Sequence, residues 1–183
     1  KFYPNIPTIG CKGLVPSLQY LCSYPSKIEY SSGILPSKIS VIGKGFVDST
    51  REFATILNVE SSPAFRFQHV WNVSTVKPDS NYYTILVALS IMSEESFNIL
   101  KLVKECLKMT GSNNLRFWVK PHPALSEKKL KKGFGDSWPE EFILVPGPSS
   151  DSIPRSNIMI SGMSSICLES ISLGVPVIVV ENI

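Results

Sequence analysis

Two short stretches hold the residues best suited to chemistry. Lys120-Pro121-His122-Pro123 sets a cation and an imidazole directly after the apolar run Phe117-Trp118-Val119. Ser161-Gly162-Met163-Ser164-Ser165 sets a glycine and two hydroxyls ahead of a helical pattern, and Glu169 follows Ser165 by four residues. Such residues suit an anion. The prolines fix the backbone on both sides of His122 and so hold its ring in place. A histidine there donates to a phosphate oxygen, more effectively when protonated, and Lys120 adds positive charge. Gly162 lets the backbone approach a ligand closely. Ser164 and Ser165 offer hydroxyl donors beside the first N–H groups of a helix, which carry partial positive charge. Glu169 lies on the same helical face as Ser165. A carboxylate is poor for phosphate, but it accepts hydrogen bonds from both hydroxyls of a ribose. Each residue also has a plainer use: Ser164 as a helix cap, His122 packed in a turn, Glu169 solvated on a helix.

The elements around these stretches alternate. Residues 83–90 form a continuous apolar run, as expected of a strand covered on both faces. Ser93-Glu94-Glu95-Ser96 supplies a cap and early acids, and Phe97, Leu100, Val103 and Leu107 follow at helical spacing until Gly111. Strands are expected at 115–120, 142–145, 157–161 and 175–180. A lysine-rich helix from Ser126 stops at Gly133 and Gly135, residues 151–155 make a short segment, and residues 164–173 make a helix closed by Gly174. This α/β rhythm predicts a Rossmann-like parallel sheet with helices on both faces. Ligands then bind beyond the carboxyl ends of the strands, and the two stretches fall there, on what read as adjacent strand ends.

Residues 1–80 are rich in proline and serine and read as an irregular segment with short strand-like pieces. The clearest is 38–43, followed by a helix start capped by Asp48 or Ser49. A linker is expected at 72–82, giving an N-terminal part at 1–80 and a ligand-binding domain at 81–183. A first residue Lys1, and an end just after the strand at 175–180, are expected of a piece of a longer protein.

Composition narrows the classes further. A net charge of +3 with scattered lysines argues against nucleic acid, and the lysines at 128, 129, 131 and 132 read as a solvated helix face. Four cysteines without a CxxC pair, and only two histidines, argue against zinc, so no metal is expected. Cys106 and Cys167 fall in apolar helical patterns and read as core. His69, flanked by large apolar residues, reads as structural. No Gly-x-Gly-x-x-Gly or Walker lysine loop follows a strand, so neither a dinucleotide cofactor nor a P-loop site is indicated. No apolar run is long enough for a membrane helix.

Lys120-Pro121-His122-Pro123, then Ser164-Ser165-x-x-x-Glu169-x-x-x-x-Gly174-x-Pro176-Val177-Ile178, resembles the donor-binding half of GT-B glycosyltransferases. The closest likeness is to bacterial capsule and surface-polysaccharide enzymes: polysialyltransferases with HP and S/T-S motifs, and glycerophosphotransferases of teichoic acid synthesis. It covers roughly residues 82–183 and, more loosely, 34–53. Pro7-Thr8-Ile9-Gly10-Cys11-Lys12-Gly13 resembles the end of an acceptor-domain strand, with Cys11-Lys12-Gly13 where relatives often carry a Gln-His-Gly-like sequence.

The resemblance implies a transferase for capsule or lipopolysaccharide. His122, as catalytic group, and the pair Ser164 and Ser165 would contact the donor phosphates; Lys120 and Gly162 join them on the reading of the residues alone. Glu169 would hold the ribose. The donor would be a nucleotide sugar, CMP- or CDP-linked by likeness, with no cofactor and no metal. The acceptor would be a glycan or lipid-linked glycan. The setting implied is cytoplasmic, at the inner face of the membrane, with peripheral membrane association of the full-length protein. The catalytic base would come from the other domain, leaving this fragment inactive alone. Two further readings stand beside it: a sugar-nucleotide epimerase of the same architecture, and a non-catalytic nucleotide-binding or assembly domain.

Overall fold

In a computed structural model of the chain, the described residues are 6–13, 24–52, 54–73, 78–111, 114–135 and 137–181. The chain divides into two compact units, Lys1–Gln68 and His69–Ile183. Cys22 and most of the stretch between the first two elements lie outside the described residues.

In the first unit the strand-like pieces assemble into a sheet. β1 (Ile9–Lys12), α1 (Lys27–Ser31), β2 (Lys38–Ile42), α2 (Val47–Arg51) and β3 (Val59–Ser62) follow in order, and the strands pair in parallel as β1-β2-β3. Ile39, Val41, Ala54, Leu57 and Val59 form its buried core. Ser26 and Glu29 close a reciprocal capping box on α1. α2 starts before the expected caps: Phe46 occupies the cap position, and Ser49 donates back to the Phe46 carbonyl at 3.3 Å. α3 (Gln68–Trp71) follows, and part of the expected linker, residues 74–77, lies outside the described residues.

The second unit is a Rossmann-like α/β layer structure. β4 (Tyr83–Ala88), α4 (Ser93–Thr110), β5 (Leu115–Lys120), α5 (Glu127–Phe134), β6 (Phe142–Leu144), α6 (Ser149–Ser152), β7 (Ile158–Ser161), α7 (Ile166–Ser172) and β8 (Val177–Val179) alternate along the chain. All five strands are parallel, in the order β6-β5-β4-β7-β8. Alternate residues of β4 serve two cores. Val87 packs with Ile99, Leu100 and Val103 of α4, Val119 of β5, and Leu130 and Phe134 of α5. Leu86 and Ala88 pack on the other face with Ile153, Met159 and Cys167. This is why the run reads as continuously apolar rather than alternating.

Local chemistry departs from the sequence reading in three places. α4 has Met92 at its cap position with no side-chain cap; instead Ser90 Oγ accepts from the Met92 N–H, and Ser96 Oγ donates to the Ser90 carbonyl. α5 starts as expected, with Ser126 Oγ accepting from the Lys129 N–H, but it runs through Gly133 and closes at Gly135 in the left-handed region. At Gly133 a Cβ would come within 2.9 Å of Phe97 Cε2 on α4, so glycine there permits the close approach of the two helices. Cys106, expected in the core, is exposed because it lies on the outer face of α4, whereas Cys167 is buried. Among the described residues no helix is long and apolar enough to cross a membrane.

Candidate functional site

Strand order decides where a ligand can enter. From β4 the chain builds outward to β5 and β6, then returns through α6 and the 3₁₀ turn Ile153–Arg155 to lay down β7 and β8 on the other side of β4. The order reverses between β4 and β7. At such a reversal the flanking loops diverge and leave a crevice beyond the carboxyl ends of the strands.

The register places the two motifs on that edge. Ala88 pairs with Lys120 on one side and with Ser161 on the other. Lys120, Ala88 and Ser161 thus form one row across three strands, about 10 Å from flank to flank at ordinary strand spacing. Ser161 Oγ donates to the Ala88 carbonyl at 3.0 Å and ties the end of β7 to the end of β4. The strand ends carrying the motifs are not adjacent, as the sequence suggested: β4 stands between them.

His122 is half-buried and locally anchored. Its Nδ1 accepts from the Ala124 N–H at 3.1 Å, and its carbonyl accepts from the Leu125 N–H at 2.8 Å. A ring accepting at Nδ1 carries its proton on Nε2 when neutral, and among the described residues no partner meets that Nε2–H.

Lys120 is engaged elsewhere. Its ammonium donates to the Gly147 carbonyl and, at 3.3 Å, to the Val145 carbonyl, both in the loop after β6. That loop lies on the side of β5 away from β4 and β7. Partial burial lowers the Lys120 pKa below the ordinary lysine value, while the nearby Asp151 carboxylate acts in the opposite sense. The residue ties two loops together instead of offering its charge to the crevice.

Ser164 and Ser165 present the opposite case. Ser165 holds the cap position of α7 without a side-chain capping bond. The backbone N–H groups of Cys167 and Leu168 are met by the carbonyls of Ser164 and Ser165, not by their hydroxyls. Among the described residues neither hydroxyl has a hydrogen-bond partner, so capping does not account for them. Ser164 is exposed and Ser165 half-buried.

Glu169 is paired. Its carboxylate lies 3.0 Å from His69 Nε2, with the Glu169 side chain 14% exposed and that of His69 45% exposed. His69, which reads as structural in the sequence, is an exposed partner of this acid. A ribose would have to displace His69 or share the carboxylate with it.

One acid escaped the sequence reading. Glu95, in the first turn of α4, lies against Gly162: its Cδ is 2.8 Å from where a Cβ on Gly162 would stand. In sequence it passes for an ordinary acid at a helix start, and only the pairing of β4 with β7 brings it to this loop. A separate hollow of about 240 Å³ lies near the other end of α4, lined by Lys104, Leu107, Lys108 and Glu141 among others. It is remote from both motifs and brings no histidine, paired hydroxyls or loop glycine-serine sequence together. The described residues contain no group of three or more His, Cys, Asp or Glu side chains placed to hold a metal. Comparison of the chain with protein-family models and with curated proteins finds no match to either.

Proposed function

We propose that the second unit binds a nucleotide-activated sugar at the carboxyl edge of its five-stranded sheet, as the donor-binding part of a glycosyltransferase for surface polysaccharide. The observation that carries this reading is the row Lys120–Ala88–Ser161: it opens the His122 loop and the Gly162–Ser165 loop on one edge, astride the strand-order reversal. The donors at that edge are His122 Nε2–H and the two serine hydroxyls. They suit the charge that develops on a leaving nucleotide phosphate, where fixed donors lower the barrier without reorganising. Lys120, held by the Val145 and Gly147 carbonyls, gives the ligand no hydrogen bond. The general base comes from outside the five-stranded unit, and the acceptor is a glycan or lipid-linked glycan, met at the cytoplasmic face of the membrane.

The test is calorimetric titration with CMP, CDP, UDP and GDP. Binding of one base in preference to the others is expected, weakened by Ser164→Ala with Ser165→Ala. Absence of binding to all four at about 1 mM, the weak end of specific affinity, sinks the reading.

A second reading, a domain that binds a nucleotide without taking part in transfer, is favoured by the internal bonds of Lys120 and Glu169. It predicts nucleotide binding unchanged by His122→Ala, whereas the first predicts a loss.

A further inference from the structure

We propose that Glu95 is a specificity-determining acid of the β4–β7 crevice, accepting the hydroxyls of a neutral sugar and disfavouring acidic ones. This rests on the reading that the crevice takes a nucleotide-activated sugar. Gly162 is buried, and the Glu95 side chain occupies the volume that any side chain at 162 would need. The carboxyl group therefore lies on the backbone of the loop that carries Ser164 and Ser165. Glu95 is half-buried, while its neighbour Glu94 is exposed and faces solvent. Among the described residues no hydrogen bond or ion pair engages the Glu95 carboxylate, in contrast to that of Glu169, which His69 holds.

A carboxylate with open lone pairs is an acceptor only. It receives hydroxyl protons and repels a second carboxylate, more strongly where water is partly excluded. Phosphate is repelled as well. The phosphates therefore belong to the donors at 122, 164 and 165, and the uncharged, hydroxylated part of the ligand belongs to Glu95. On this basis a neutral hexose fits the crevice, and a uronic acid or other acidic sugar does not.

The experiment reads a ratio of affinities. The wild-type chain, Glu95→Gln and Gly162→Ala are titrated with a neutral hexose donor and its uronate counterpart sharing one nucleotide, such as UDP-glucose and UDP-glucuronate, or the same pair on the base chosen by the nucleotide titration. The free nucleotide serves as reference. The wild type should favour the neutral donor by about tenfold or more, the size of one hydrogen bond to a charged group. Glu95→Gln should flatten that ratio and leave free nucleotide no weaker. Gly162→Ala keeps the acid but drives it from its place, so it should flatten the ratio too. A ratio unchanged in both variants, with nucleotide still bound, overturns the role of Glu95 alone. Failure of the wild type to bind any nucleotide overturns the reading of the crevice and this inference with it.

Discussion

The loop after β5 and the loop after β7 leave the same edge of one sheet but dispose of their polar groups in opposite ways. In the first, Lys120 is bound to the carbonyls of Val145 and Gly147, and His122 Nδ1 is held by the Ala124 N–H. In the second, the Ser164 and Ser165 hydroxyls have no partner among the described residues. The first loop is fixed by its own hydrogen bonds and keeps a single unpartnered donor, His122 Nε2–H. The second keeps two. A polar side chain already satisfied by the protein supports the fold; one left unsatisfied at a crevice is available to a ligand.

This contrast can be broken by substitution, because the two loops should respond on different observables. Ser164→Ala combined with Ser165→Ala should have the largest effect on binding, about tenfold or more in nucleotide Kd per charge-assisted hydrogen bond lost. The melting temperature should hardly move, since no internal bond is removed. A large drop in melting temperature with unchanged Kd would show that the hydroxyls serve the fold instead. His122→Asn should come next. Its side-chain oxygen can replace Nδ1 as acceptor for the Ala124 N–H while nothing replaces Nε2–H, so nucleotide affinity should fall by about tenfold with stability retained. His122→Ala should lose the same affinity and some stability besides.

Lys120→Met should have the smallest effect on binding and should sharpen the contrast from the other side. Loss of its bonds to two carbonyls should cost about 1 kcal/mol in urea unfolding, with nucleotide Kd within about threefold of wild type. A pH series adds a sign. Because burial lowers the Lys120 pKa, there is a window below the ordinary lysine range in which the unfolded chain holds a proton that the folded chain has released. Stability attributable to this group therefore rises with pH across that window, and the increment should be missing in Lys120→Met when urea midpoints are compared at alkaline pH up to the ordinary lysine value of about 10.4.

Much of the second unit was legible because its signals are local. The apolar run gives β4, the stretch at 115–120 matches β5 to the residue, and Ser126 caps α5 as a serine before a helical pattern should. The destinations of side chains were not legible, because they depend on pairing far along the chain. Nothing near Lys120 in sequence says that its ammonium meets carbonyls of the loop after β6. Nothing near Glu95 says that β7 will bring Gly162 beneath it, or near Glu169 that His69 will reach it. The sheet of the first unit escaped notice because its strands are four or five residues long and lie among prolines and serines, which break any longer period.

The central position of β4 has a consequence for how the molecule tolerates mutation. Slipping β4 by one residue would exchange Val87 with Leu86 and Ala88 between the two cores, and would also part Ala88 from both Lys120 and Ser161. The loops after β5 and β7 are thus aligned by the hydrophobic packing beneath them as well as by polar ties such as Ser161 Oγ to the Ala88 carbonyl. Interior substitutions in β4 should accordingly disturb both loops together by disrupting the sheet, whereas rim substitutions should leave that frame in place and cost at most the local bonds that residues such as Lys120 and His122 make.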